Sequence, residues 1–181
     1  TKRIRLQFCT EVMSRQIERD DLKYYEPLGV FNRGRGLFHK RKTLGKDLGD
    51  STFYYIEAGD LIISGQFAWE GSVTLAGVEE SGCVVSHRYP VLRGAGELDT
   101  IFLWEYLTTH EGDFILNQHS NGAAGRNRPL NINTLLKEKI PIPIKELQIP
   151  IVEIVKKENS LRDEVKKIEK FLNEHKISMI N

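Results

Sequence analysis

Two segments hold residue types whose spacing could recognise a nucleic acid. In the first, residues 31–42, Arg33 and Arg35 alternate with Gly34 and Gly36, and His39, Lys40, Arg41 and Lys42 follow, with Lys46 just beyond. Glycine lets a backbone come close to a partner while flanking guanidinium groups project. Arginine makes bidentate contacts to guanine or phosphate, and lysine neutralises phosphate as a point charge. The second segment, residues 117–128, carries Asn117, Gln118, Ser120, Arg126, Asn127 and Arg128 among glycines and alanines. Amide side chains pair with adenine, arginine with guanine, and serine with phosphate. Read separately, either stretch is also compatible with a solvated loop or polar turn. Two in one chain favour binding.

Other chemistry finds little support. The chain has no Gly-Lys-Ser/Thr phosphate loop, no Gly-x-Ser-x-Gly elbow and no His-Glu-x-x-His pair. Asp21-Leu22-Lys23 and Glu164-Val165-Lys166 have part of a metal-dependent nuclease spacing and read as surface charge. The histidines are scattered and suggest no triad. Cys9 and Cys83 lie far apart without a Cys-x-x-Cys pattern, so a structural zinc site is rejected and two buried thiols in a reducing cytosol are expected. No cofactor and no metal are expected. Trp69 is read as a core residue, and Asp60 as a turn former after Gly59 rather than a catalytic acid.

The 181 residues suffice for one domain with a core, or a domain plus an appendage. A net charge of +1 is not that of a protein coating nucleic acid without selectivity, so a binding surface must come from local clustering. No apolar run is long enough to span a bilayer and no basic-then-apolar leader is present, so a cytoplasmic protein with no membrane partner is expected.

The elements that position the two segments are mostly strands. Ile4, Leu6 and Phe8 alternate with polar residues and predict a short strand. Residues 14–23 are strongly charged and read as a surface helix or loop. Residues 53–56 and 61–64, split by Ala58-Gly59-Asp60, suggest a strand pair. Residues 67–76 continue the β-rich region, and 83–86 add another strand. Helical apolar spacing over 99–109 opens on Asp99, and residues 130–136 suggest a short helical turn. Ile140-Pro141-Ile142-Pro143 cannot be helix interior and reads as an extended exit strand.

After Pro150 neither proline nor glycine recurs. Ile154, Leu161 and Ile168 repeat every seven residues; Val165, Leu172 and Met179 repeat likewise, offset by four. This is the a/d stripe of a coiled coil. Ile154, Leu161, Val165, Ile168 and Leu172 are the candidate helix–helix interface. The fold class expected is α+β: a mixed recognition domain with a largely antiparallel sheet over 1–145, then a long helical connector or dimerisation arm over 146–181.

The order of segments resembles the specificity subunit of type I restriction-modification systems. The matching stretches are Gly-Arg-Gly-Leu-Phe-His-Lys at 34–40, Ala-Gly-Asp-Leu-Ile-Ile-Ser at 58–64 and Ala-Trp-Glu-Gly-Ser-Val at 68–73. Val-Ser-His-Arg-Tyr-Pro-Val at 85–91, Gly-Arg-Asn-Arg-Pro-Leu-Asn at 125–131 and Ile-Pro-Ile-Pro at 140–143 follow, and Gln-Ile-Pro-Ile-Val at 148–152 leads into the helix. The resemblance implies a non-catalytic target-recognition domain that reads one half of a bipartite double-stranded DNA site. It implies a helix that packs on a second such helix as a spacer, and docking to adenine methyltransferase subunits and, in the full assembly, to restriction subunits. The family's subunit carries two recognition domains and two helices, where this chain has one of each. A half-subunit that pairs as a homodimer, a recognition domain cut from a fused methyltransferase-endonuclease, and a coiled-coil adaptor that binds no DNA all remain open.

Overall fold

The computed structural model describes residues 1–33, 35–122 and 128–178. Its two ends meet. Strand β1 (Lys2–Arg5) pairs antiparallel with the last strand, β12 (Lys139–Ile142), with Arg3 opposite Pro141. The chain's opening alternation stops at Leu6: a 3-10 turn over Leu6–Phe8 buries Leu6 and leaves Phe8 exposed.

The remaining strands are short. They are β2 (Thr10–Val12), β3 (Tyr24–Tyr25), β4 (Leu28–Val30), β5 (Leu37–His39), β6 (Thr43–Leu44), β7 (Phe53–Tyr55), β8 (Leu61–Ile63), β9 (Val73–Leu75), β10 (Val84–Ser86) and β11 (Val91–Gly94). One antiparallel sheet has the order β2-β11-β8-β9, and β1-β12, β3-β6, β4-β5 and β7-β10 form two-stranded ribbons. The expected pairing of 53–56 with 61–64 does not occur. β7 pairs with β10, while β8 pairs with β9 and β11. Between β7 and β8, Asp60 is fully buried and pairs with Arg15, just after β2, and with Arg93 on β11, which holds the start of β8 in the four-stranded sheet.

Helix α1 (Thr100–Thr108) starts where predicted, with the Asp99 side chain accepting from the Ile101 N–H. Helix α2 (His110–Gln118) follows, capped by Thr109. It takes up Asn117 and Gln118, which were expected in a loop. A four-residue helix, α3 (Ile132–Leu135), precedes β12. The largest core cluster joins β8, β9, α1, α2 and β12 through buried Leu61, Ile63, Leu103, Leu107, Leu116 and Ile140.

Helix α4 runs from Lys145 to Ser178, and Pro150 lies inside its second turn. Its foot belongs to the core, since Val152 and Val155 are buried with the α1 residues. Gln148 fixes that foot. Its amide donates to the Glu97 and Pro143 carbonyls at 2.8 Å each and accepts from the Asp99 N–H at 2.9 Å. The stripe faces away from that core: Ile154, Leu161, Val165, Ile168 and Leu172 are all at least half exposed. Met179 lies outside the described residues. Among the described residues no helix is long and apolar enough to cross a membrane.

Candidate nucleic-acid interface

The first basic segment is the β4–β5 hairpin and the residues after it. Leu28, Gly29 and Val30 lie opposite His39, Phe38 and Leu37. The Phe38 ring covers Gly29 so closely that a side chain there would require the ring to move. At the tip, the Phe31 N–H donates to the Gly36 carbonyl at 3.0 Å. Arg33 takes a left-handed backbone (φ 54°), uncommon for a residue with a side chain. Its N–H donates to the Glu70 carbonyl at 3.1 Å, and Asn32 donates to the Glu70 carboxylate at 3.3 Å.

Glu70 belongs to a 3-10 turn over Ala68–Glu70, and this turn also holds the second segment. Ala68 fills the core, whereas Trp69 is half-buried, which corrects the expectation of a core tryptophan. The core indole is Trp104, whose Nε1–H donates to the Val73 carbonyl. Arg128 lies over the Trp69 ring, 5.1 Å from its centroid. It also donates to the Ser120 carbonyl at 3.1 Å and to the Asn117 carbonyl at 3.4 Å. The Asn117 side chain donates to the Trp69 carbonyl at 3.1 Å. The two segments, with 74 residues between them in sequence, are thus fastened to adjacent residues of a single turn.

The expected contact residues divide into groups. Arg33, Arg35, Lys40 and Arg41 are exposed. Arg35 packs over Phe31 at 5.1 Å and hydrogen-bonds the side chain of Asn32, and Lys40 lies over Phe38 at 6.0 Å. His39 and Lys42 are also exposed, but both engage Glu26, with His39 Nδ1 at 2.6 Å from Oε1 and Lys42 at 3.3 Å from the same carboxylate. The hydrogen bond with His39, aided by Lys42, holds the Glu26 carboxyl below its ordinary range. Gln118 is exposed, but Asn117 and Arg128 spend their polar atoms within the fold. Ser120 is fully buried and its hydroxyl has no partner among the described residues, so it cannot meet a phosphate at the surface. Arg126 and Asn127 lie outside the described residues. The sequence reading missed Phe31, Asn32, Trp69 and Glu70. The run Gly65-Gln66-Phe67-Ala68-Trp69-Glu70-Gly71, with aromatics between glycines, was the available sign of a turn carrying exposed rings.

Residues 13–173 match the family model described as the type I restriction modification DNA specificity domain. The chain belongs to that family. Two solved structures share this specificity domain's fold. One is described as the crystal structure of the HsdS subunit from Thermoanaerobacter tengcongensis, at 21% identity and a TM-score of 0.67, with 94% of this chain and 46% of that one aligned. The other is from a study of complex assembly and conformational transition of the type I R-M system, at 20% identity and a TM-score of 0.67, with 94% and 44% aligned. The specificity domain therefore spans a little under half the length of these chains. No curated protein matches it.

Proposed function

We propose that this specificity domain is a non-catalytic reader of one half of a bipartite DNA target, and that its helix arm spaces it from a second reader and docks adenine methyltransferase subunits. The observation that carries the reading is the fastening of both polar segments to one turn: Asn32 and Arg33 bond Glu70, while Asn117 and Arg128 engage Trp69. In this reading Arg33 and Arg35 address base edges, and Lys40 and Arg41 address phosphates. Gln118, Arg126 and Asn127 contact DNA from the second segment. His39, Lys42, Asn117 and Arg128 hold the two segments in place.

The exposed stripe on α4 is the contact for a second helix. Self-association through it gives a two-fold dimer and a palindromic bipartite target. The deciding experiment is a methylome. The chain is co-expressed with adenine methyltransferase subunits in a host free of adenine methylation, and modified adenines are mapped. A bipartite palindrome supports the homodimer, and an asymmetric bipartite motif points to a second, different reader. A complex that assembles on DNA but methylates no defined motif overturns the reading and leaves a coiled-coil adaptor.

A further inference from the structure

The rear of the basic hairpin carries a cluster that DNA reading does not use. Glu26 lies just before β4, His39 ends β5 and Cys83 sits just before β10. One ligand-capable atom from each lies within 4.8 Å of the other two. Glu80 joins from the turn ahead of Cys83, with Oε1 3.7 Å from His39 Nε2. We propose that Glu26, His39 and Cys83 form a binding site for one divalent transition-metal ion, with zinc the best chemical fit.

Three features beyond proximity support it. The first is ligand type. Imidazole, thiolate and carboxylate together suit a borderline ion such as Zn²⁺, at bond lengths of about 2.0–2.3 Å. The second is a prepared backbone. The Val84 N–H donates to the Glu26 carbonyl at 3.0 Å, and the Cys83 N–H donates to the Glu80 carbonyl at 3.0 Å. His39 is fixed by pairing with Leu28, two residues after Glu26. The third is charge: the Glu26 and Glu80 carboxylates both face His39, with the Lys42 ammonium on Glu26 opposing them, so the cluster draws a cation.

Cys83 is 6% exposed, so the site opens to solvent on its Glu26 and His39 side. Burial, with Glu26 and Glu80 adding to it, pushes the Cys83 thiol up, so the metal-free group is protonated. Metal entry displaces that proton to solvent and replaces the hydrogen bond between His39 and Glu26 with two metal–ligand bonds. One ring nitrogen binds the ion while the other faces a carboxylate, an arrangement that orients metal-bound histidines. The ion would tie the hairpin that carries Arg33 and Arg35 to β10. Spacing had argued against zinc because it weighed Cys9 with Cys83. The fold places these thiols in different core clusters and gives Cys83 partners that lie far off in sequence.

Cobalt(II) tests the site. The reduced, chelator-treated protein is titrated with Co²⁺ and followed by absorption. The expected result is one equivalent bound, with a thiolate-to-cobalt charge-transfer band in the near ultraviolet that Zn²⁺ displaces. The band should vanish in C83S and persist in C9S. Because Cys83 is buried, Glu26→Gln provides a second check: Co²⁺ affinity should fall by at least the factor of about 10–100 that losing an outer-shell partner costs, with an unchanged circular dichroism spectrum. No band, a band that survives in C83S, or full affinity in folded Glu26→Gln overturns the proposal.

Discussion

Arg93 and Asp60 meet with Nε 2.6 Å from Oδ1, and the carboxylate they share with Arg15 is fully buried. Arg15 donates from Nη1 to Oδ2 at 2.7 Å, and the Glu57 N–H donates to the same oxygen at 2.8 Å. β2 is followed closely by Arg15, β11 carries Arg93, and Asp60 opens β8, so one carboxylate ties three neighbouring strands of the sheet. Asp60→Ala is expected to lower unfolding free energy by about 3 kcal/mol, since two guanidinium groups lose their buried acceptor and keep only the exposed Glu57 carboxylate and the Ala58 carbonyl. Thermal unfolding measures it, and a loss below about 1 kcal/mol would show that water replaces the carboxylate.

Arg128 is expected to act on the fold before it acts on DNA. Arg128→Ala removes the stacking on Trp69 and two hydrogen bonds, a loss of about 1–2 kcal/mol. In a binding assay it should weaken all sequences together. A loss of preference at a single base position, with unchanged stability, would make Arg128 a base reader instead.

Arg41 and Arg35 should separate phosphate from base contacts. Arg41→Ala is expected to weaken every DNA sequence alike and to lower the slope of log affinity against log salt by about 0.9. Arg35→Ala should cost about 1–3 kcal/mol and relax preference at one position. Fluorescence anisotropy across a salt series and a panel of single-base variants checks both.

Ile168 is 58% exposed on the stripe, so a charge there touches self-association and not the domain core. Ile168→Glu should shift a dimer to monomer in sedimentation equilibrium and leave the unfolding of the domain unchanged. A monomer in both forms would remove the stripe from the account of assembly.

Tyr106 sets an alkaline limit. Burial, with the charge of Glu111 adding to it, pushes its phenol up to about 12. Below about pH 10 the phenol is protonated in both the folded and unfolded states. Between about 10 and 12 only the unfolded state ionises, so the contribution of Tyr106 to stability is lost as pH rises. Tyr106→Phe should change stability little at pH 8, where the phenol is protonated in both the folded and unfolded states. It should become more stable than the parent at pH 11, which urea unfolding at both pH values measures.

The elements legible in the sequence are those set by neighbouring residues. The Asp99 cap of α1, the proline-bearing exit strand and the heptads of α4 each depend on a few adjacent positions. Strand partners were not legible, because they rest on contacts far apart in sequence: β7 pairs with β10, and Asp60 beside β8 meets Arg15 and Arg93, 45 and 33 residues away. At the candidate site the basic residues were visible as a cluster, but their division was not. Nothing near His39 shows that Glu26 and Glu80 hold it from behind. Nothing near Ser120 shows that Arg128 would close over its carbonyl and leave the hydroxyl buried.

The anchoring of α4 at Gln148 makes the helix a lever with a stiff pivot. At 34 residues it is about 51 Å long. A tilt of about 5° at the pivot would sweep its far end through roughly 4 Å, more than the 3.4 Å step between base pairs along one strand. Small adjustments where the Gln148 amide meets Glu97, Asp99 and Pro143 are thereby magnified along the arm, and a distortion imposed on the recognition face has a mechanical route to whatever grips the tip.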